Sequence, residues 1–141
     1  MAGIKVVIVW GLRLALAAVF LYAGVVKLIS PDAFLADIES YRLLPYRAAW
    51  LIAYYLPALE VLVGVAILVP AWNRAAALVM GGMMGVFILA LLSAWARGLD
   101  ISCGCFGRSP ETRQYLWLFV RDILLVVALV GVWRYTPIPK A

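Results

Sequence analysis

The chain has 141 residues, of which 67% are hydrophobic and only 13% are charged. A small globular fold leaves much of its surface in contact with solvent, so a chain this apolar must be surrounded by lipid. The net charge of +5 comes from single, scattered cations, which argues against nucleic-acid binding and is typical of side chains that reach toward headgroups. Histidine is absent and only two cysteines occur, so no metal site is expected.

Four apolar stretches are long enough to cross a bilayer as helices, which takes about 20 residues at a rise of 1.5 Å each. Their expected ranges are 4–28, 48–69, 75–96 and 115–133. In lipid each stretch must satisfy its own backbone hydrogen bonds, which favours helix throughout. The first stretch contains Arg13 and lacks a small-residue cleavage site, so it is interpreted as a helix and not as a signal peptide. The sequence therefore predicts an all-α integral membrane protein, a four-transmembrane-helix bundle forming one domain over 1–141.

The connections between these helices are unequal in length. A tight turn at 70–74 joins the second and third, whereas residues 29–47 and 97–114 form longer connections on the same side of the membrane, opposite both termini. The first long connection is predicted to hold a short interfacial helix, capped by Ser30 and beginning at Pro31. It is interpreted either as a membrane anchor or as a lid over a site.

The third span carries a stripe of small residues, Ala77, Gly81 and Gly85, at four-residue spacing. Such a stripe lets a neighbouring helix backbone approach closely. We expect that neighbour to belong to the same chain in preference to a second subunit. The oligomeric state stays open.

The second long connection contains Cys103 and Cys105 on either side of Gly104. A disulfide between cysteines this close needs the backbone freedom of glycine and should be strained, and strain makes a disulfide easier to reduce. A structural disulfide gains most by closing a long loop, which this pair does not do. The pattern favours a redox-active pair as the catalytic residues, although two inert thiols remain an alternative. Such a pair must exchange electrons with a soluble thiol protein, a membrane quinone or a partner subunit.

Several charged residues lie within the apolar spans: Arg13, Glu60, Arg121 and Asp122, with Lys27 near the rim. Each would cost about 2.5–3.5 kcal/mol at mid-bilayer on insertion scales, so ion pairing is expected. Depth counted from the long-loop side predicts that Glu60 pairs with Arg13 or Arg121, and Lys27 with Asp122. These groups are interpreted either as structural ion pairs that fix helix register or as a polar floor and proton path.

A quinone site would need an apolar slot with one or two hydrogen-bond donors. The candidates for cofactor binding are Tyr54, Tyr55, Trp117, Arg121 and Glu60. This assignment is a hypothesis that depends on whether folding brings the five side chains together.

A series of spaced motifs extends over nearly the whole chain: Tyr22-Ala23-Gly24-x-x-Lys27, Pro31 with Phe34, Tyr41-x-x-Leu44-Pro45, Leu56-Pro57-x-x-Glu60-x-x-x-Gly64 and Cys103-Gly104-Cys105-Phe106-Gly107. Together they resemble the MauE/DoxX family, and the last motif points to its MauE side. The resemblance implies a four-helix protein of the bacterial inner membrane associated with redox chemistry. MauE-like proteins are linked to maturation of the disulfide-rich small subunit of methylamine dehydrogenase in the periplasm.

DoxX-like relatives are linked to thiosulfate:quinone oxidoreduction and thiol stress. A broader similarity is to four-helix thiol–quinone oxidoreductases such as vitamin K epoxide reductase. Those enzymes carry two cysteine pairs and this sequence has one, which puts a direct relay from disulfide to quinone within the chain in doubt.

Two arguments about membrane orientation conflict. The turn side carries Lys5, Arg74, Arg134 and Lys140, and the long-loop side carries Lys27, Arg42, Arg47, Arg97, Arg108 and Arg113. The positive-inside rule would therefore put the cysteines in the cytoplasm. A strained disulfide persists more readily in an oxidising compartment, and the resemblance agrees. We expect both termini to be cytoplasmic and the cysteine loop to be periplasmic.

The leading hypothesis is a membrane thiol–disulfide oxidoreductase that exchanges with a periplasmic thioredoxin-like protein and with the quinone pool. The main alternative is a non-catalytic assembly factor or subunit for a periplasmic redox enzyme. A small transporter is disfavoured, because the four helices show no inverted repeat and no broken helix.

Overall fold

The computed structural model describes residues 1–99 and 111–136, and this part of the chain is helical without strands. Its helices are α1 (Ala2–Ile29), α2 (Pro31–Ser40), α3 (Tyr46–Ala66), α4 (Asn73–Ala96) and α5 (Glu111–Tyr135). Four of them, α1, α3, α4 and α5, are long and apolar enough to cross a membrane. The predicted all-α, four-span membrane fold is confirmed. The short helix expected in the first long connection is α2, and it begins at Pro31 as its sequence indicates, with Ser30 as the N-cap residue but without the expected hydrogen bond from the Ser30 side chain.

The four long helices form a bundle in which each one contacts its two neighbours. Helix α1 packs against α3 and α5, and α4 packs against the same two helices. Within the described residues α3 and α5 do not approach each other, so they stand at opposite corners. The end that holds the α3–α4 turn and the start of α1 is called the turn end below, and the opposite end is called the loop end.

The largest apolar core fills the half of the bundle nearer the turn end. Leu16 and Phe20 of α1 meet Ile67, Met80 of α4 and Val132 of α5 there, and all five side chains are buried. Two smaller clusters lie toward the loop end, one between α4 and α5 and the other between α2 and α3. The outer faces of the helices are equally apolar, as contact with lipid requires.

Helices α1 and α3 approach most closely at Gly24. A Cβ atom at this position would lie 2.8 Å from the carbonyl oxygen of Pro57 and 2.8 Å from Cγ2 of Val61. Farther toward the turn end, a Cβ atom at Gly64 would lie 3.0 Å from Cγ of Leu21. Glycine therefore permits the close contact that sets the register between these two helices.

The small-residue stripe of α4 is used only in part. Ala77 is buried in the main core, and a Cβ atom at Gly81 would lie 3.2 Å from Cδ2 of Leu129 on α5. Intramolecular packing is thus confirmed for these two positions. Gly85 has open space around it, so its small size serves no contact within the described chain.

Candidate functional site

The predicted redox pair, Cys103 and Cys105, lies outside the described residues, but both ends of its connection are described. Helix α4 ends at Ala96, the described chain continues to Leu99, and α5 begins at Glu111. The hydroxyl of Tyr115 donates a hydrogen bond to the carbonyl oxygen of Leu99. The two chain ends that flank the cysteine-containing segment are therefore held together at the loop end of the bundle.

The same end of the bundle is tied to the connection between α2 and α3. Arg97 donates hydrogen bonds from its guanidinium to the carbonyl oxygens of Tyr41 and Arg42. The Tyr41 ring also packs with Leu99 and Tyr115 against the small core between α4 and α5. We call Tyr41, Arg97, Leu99 and Tyr115 the loop platform. It is the described surface from which the cysteine-containing segment leaves and to which it returns.

Sequence reasoning missed the loop platform. In the sequence, Tyr41 was noted only as part of a motif shared with a family, and Arg97 only among the cations that bear on orientation. A basic residue just after a long helix often binds free backbone carbonyls, which was an available signal for Arg97. The sequence did not indicate that those carbonyls belong to the α2–α3 connection, 55 and 56 residues away along the chain.

Lys27 and Glu60 form an ion pair between α1 and α3. The distance from Lys27 Nζ to Glu60 Oε1 is 2.6 Å, and the two side chains are 17% and 10% exposed. Phe34 of α2 covers the pair, with its ring centroid 4.7 Å from the ammonium nitrogen. The other carboxylate oxygen, Oε2, is buried and has no hydrogen-bond partner in the described part of the chain.

The predicted pairing of Glu60 with Arg13 or Arg121 was therefore wrong. Depth counted from the loop ends would put Gly24 level with residue 52 of α3, but Gly24 lies beside Glu60, which is roughly eight residues or about 12 Å farther along. The displacement arises because α2 occupies the start of α3, where Leu35 packs against Ala49 and Ala53. Helix α1 can meet α3 only beyond that contact.

Arg121 and Asp122 pair with each other on α5. Arg121 donates to Asp122 Oδ1 from Nε at 3.0 Å and from Nη2 at 2.9 Å, and its guanidinium carbon lies 5.7 Å from the ring centroid of Phe87. The expected Lys27–Asp122 pair was wrong because Lys27 already binds Glu60 on the adjacent helix. Asp122 is buried, and its Oδ2 atom has no hydrogen-bond partner among the residues described.

Arg13 lies apart from these groups, near the turn end of the bundle. Its Nη2 atom donates to Thr136 Oγ1 at 2.8 Å, directly after the last residue of α5. The ring centroid of Trp10 lies 5.4 Å from the guanidinium carbon. The sequence had suggested that Arg13 belongs to a polar floor shared with Glu60. Because Arg13 lies near the turn end, it does not contribute to such a floor near the loop end.

The candidate quinone residues are not gathered into one slot. Tyr54 donates a hydrogen bond to Asp32 Oδ1 of α2 at 3.2 Å. Tyr55 and Trp117 are 68% and 61% exposed, and they belong to helices at opposite corners of the bundle. Arg121 is half-buried beside Asp122, and Glu60 is covered by α2. Polar contacts thus join α2 to α1 and α3 in the described structure. The exposed rings of Tyr55 and Trp117 lie on separate lipid-facing surfaces.

The buried carboxylates of Glu60 and Asp122 each have one paired oxygen and one oxygen that no described residue hydrogen-bonds, which could accept a hydrogen bond or a proton. These groups can support proton movement or bind a polar head within the bundle. No group of three histidine, cysteine or acidic side chains that could hold a metal occurs within the described ranges 1–99 and 111–136.

Comparison with known proteins identifies the family. The family model described as methylamine utilisation protein MauE matches residues 5–134. A methylamine utilization protein MauE of Paracoccus denitrificans is 33% identical over 127 residues, 89% of this chain and 68% of the relative. The MauE protein of Paracoccus versutus is 33% identical over 129 residues, 91% of this chain and 69% of the relative.

A third relative, the MauE protein of Methylophilus methylotrophus, is 34% identical over 123 residues, which are 86% of this chain and 63% of the relative. The chain thus spans about two thirds of the length of these relatives. No solved structure matches it. With a family match that covers almost its full length and four helices able to cross a membrane, the chain belongs to the MauE family of multi-pass membrane proteins.

Proposed function

We propose that the protein is a membrane thiol–disulfide oxidoreductase whose Cys103 and Cys105 alternate between a dithiol and a disulfide. The observation that carries the proposal is a Cys-Gly-Cys segment between α4 and α5, in a chain that has no other cysteine. The partner is an extracytoplasmic, thioredoxin-like or disulfide-rich protein. The name of the relatives, methylamine utilization protein, suggests a component of a methylamine-oxidising enzyme as that partner.

The exchange proceeds in two steps. One thiolate of the reduced pair attacks a sulfur of the partner disulfide, and the displaced partner thiolate takes up a proton. The second cysteine then attacks the resulting mixed disulfide. The pair ends as a disulfide and the partner as a dithiol, with two electrons transferred; the reverse sequence delivers a disulfide to the partner.

The loop platform supports this chemistry in two ways. It fixes both ends of the cysteine-containing segment against a packed surface, which limits the region that the two thiols can reach. Arg97, six residues before Cys103, supplies positive charge at the base of the segment, and positive charge favours the reactive thiolate over the thiol. A partner protein would approach over α2 and the α2–α3 connection.

Quinone is the proposed acceptor when the pair is reoxidised without a partner disulfide. A dithiol and a quinone then give a disulfide and a quinol, with transfer of two electrons and two protons. Quinone dissolved in lipid has direct access to the exposed rings of Tyr55 and Trp117, whereas Glu60 is reached only if α2 moves. Replacement of Trp117 by leucine, with Tyr55→Leu compared in parallel, tests which lipid-facing surface is used, with quinol formation as the readout.

We propose that both termini are cytoplasmic and that the cysteine segment faces the periplasm. The position of Arg13 narrows the charge difference that opposes this orientation, because it adds a cation to the turn end, which also carries Arg74, Arg134 and Lys5. With Lys140, the basic residues then number five at the turn end against six at the loop end. The acidic residues of the loop connections have no counterpart at the turn end.

The deciding experiment uses Cys103→Ser and Cys105→Ser variants to trap a mixed disulfide with a partner in cells. The wild-type pair should appear partly oxidised in a thiol-alkylation gel shift, and one serine variant should carry a covalently attached protein that reductant removes. The double serine variant serves as control. If the pair is never oxidised, or if the double variant supports maturation of the partner as well as the wild type does, the protein is a non-catalytic assembly factor.

Orientation is tested with a thiol reagent that cannot cross membranes. After reduction, the cysteines should react in whole cells, and labelling found only in inverted vesicles would contradict a periplasmic site. The same preparation separates transport from thiol exchange. A Glu60→Gln variant that loses solute uptake while exchanging thiols normally would favour a transporter.

A further inference from the structure

The turn end of the bundle contains a basic cluster that the proposed thiol chemistry does not use. Arg13 lies beside Thr136, and Arg74, the second residue of α4, lies with its guanidinium carbon 4.7 Å from the ring centroid of Trp133. Trp133 and Thr136 are three residues apart at the end of α5, a spacing that puts Cβ atoms about 5–6 Å apart in a helix. Arg13 and Arg74 therefore meet the same side of the last turn of α5.

Both guanidinium groups have hydrogen-bonding capacity that the described residues leave unused. Arg13 is only 5% exposed, and its Nε atom is buried without a hydrogen-bond partner in the described ranges. The Nε atom of Arg74 is buried and lacks a partner in the same way. An arginine with a buried, unpaired donor is costly unless an anion or another acceptor reaches it.

Among the residues that the structure describes, no acidic side chain is in a position to supply that anion. The seven acidic residues are Asp32, Asp37, Glu39, Glu60, Asp100, Glu111 and Asp122. Asp122, on the same helix, precedes Thr136 by fourteen residues, about 21 Å along the helix axis, and already binds Arg121. Glu60 lies on α3, at the corner opposite α5, and is paired with Lys27.

We propose that Arg13 and Arg74 bind the phosphate of an anionic phospholipid headgroup at the turn end, between α1, α4 and α5. A guanidinium matches a phosphate with two parallel hydrogen bonds, and α4 begins at this place, so the positive end of its dipole adds to the attraction. Trp10 and Trp133 flank the arginines, as is usual for aromatic residues at the level of the headgroups.

The occupant is a lipid in preference to a soluble anion because the site is formed by membrane-spanning helices whose outer surfaces are apolar. The exposed side chains of Leu14 on α1 and Val130 on α5 would contact acyl chains. A lipid phosphate provides both the missing negative charge and the missing acceptors. It thereby joins the ends of α1, α4 and α5, which no ion pair joins in the described part of the chain.

The test is lipid binding by the full-length protein in a neutral detergent, measured by native mass spectrometry with phosphatidylglycerol or phosphatidylcholine added. The wild-type protein should retain phosphatidylglycerol with at least about tenfold higher apparent affinity, since one charge-assisted hydrogen bond alone is worth roughly this factor. Arg13→Gln should abolish the preference and Arg74→Gln should reduce it.

Arg134→Gln is the matched control, because it removes the same charge from an exposed residue in the last turn of α5. This variant should keep the preference within about twofold, since an exposed charge is largely screened by solvent and salt. If Arg134→Gln loses as much as Arg13→Gln, or if the wild type shows no preference, the proposal is overturned in favour of a diffuse basic surface.

Two further measurements distinguish lipid binding from loss of folding and from binding of a soluble anion. If Arg13→Gln does not fold, as judged by circular dichroism, the Arg74→Gln variant decides the matter, because Arg74 is only half-buried. Inorganic phosphate is added as a competitor in a parallel series. Displacement of phosphatidylglycerol by an equal concentration of inorganic phosphate would overturn the lipid assignment and leave a site for a soluble anion.

Discussion

The ion pair between Lys27 and Glu60 gives the sharpest prediction about stability. Its distance of 2.6 Å and the low exposure of both side chains place it among buried pairs, where removal of one partner costs about 3–5 kcal/mol. Both groups retain some exposure, so we expect Lys27→Met or Glu60→Leu alone to lower the free energy of unfolding by about 2–3 kcal/mol. The remaining charge would be left in an apolar setting beneath Phe34.

The double variant Lys27→Met/Glu60→Leu should recover most of that loss, because no uncompensated charge remains and the new side chains suit an apolar bundle. The assay is reversible unfolding in mixed micelles followed by circular dichroism, with Arg47→Met as an exposed-cation control on α3. A coupling free energy of about 3–5 kcal/mol, close to the sum of the two single losses, is expected from the double-mutant cycle. Strict additivity, with the double variant losing the sum of both single effects, would refute the reasoning.

Two other predictions concern helix contacts. Gly24→Ala should destabilise the bundle by about 1–3 kcal/mol, because its Cβ would press on the backbone and side chains of α3, whereas Gly85→Ala in open space should be neutral or slightly stabilising in the same unfolding assay. Arg97→Ala should speed amide hydrogen exchange over residues 41–44, because the α2–α3 connection loses the donors at the end of α4, and Arg47→Ala should leave that exchange unchanged. Equal effects of test and control variants would contradict either prediction.

The sequence was sufficient for the fold class because apolar segments of spanning length leave the backbone one arrangement that satisfies its hydrogen bonds in lipid. The start of α2 could also be predicted, since proline is favoured at the first position of a helix and Pro31 occupies it. The packing of the small-residue stripe could be predicted only in part. Ala77 and Gly81 pack as expected, but Gly85 does not, because spacing alone cannot tell which turns of a helix a neighbour covers.

The pairing of the charged residues could not be predicted from the local sequence pattern. Their presence in the spans predicted that they would be paired or otherwise accommodated, and Glu60 and Asp122 each do have a cationic partner. The choice of partners was wrong because it assumed that α1 and α3 begin level at the loop end. The contact of α2 with Ala49 and Ala53 shifts that register, and a shift of two helical turns changes which charges can meet.

The sequence by itself therefore determined four membrane helices and a short helix at Pro31, since each follows from composition or from local backbone rules. Only the tertiary structure decided that Lys27 meets Glu60, that Arg97 fastens the α2–α3 connection, and that Arg13 lies at the turn end beside Thr136. Those contacts depend on helix order and relative displacement. Both are set by how α2 and the glycine at position 24 let whole helices pack, which no local segment encodes.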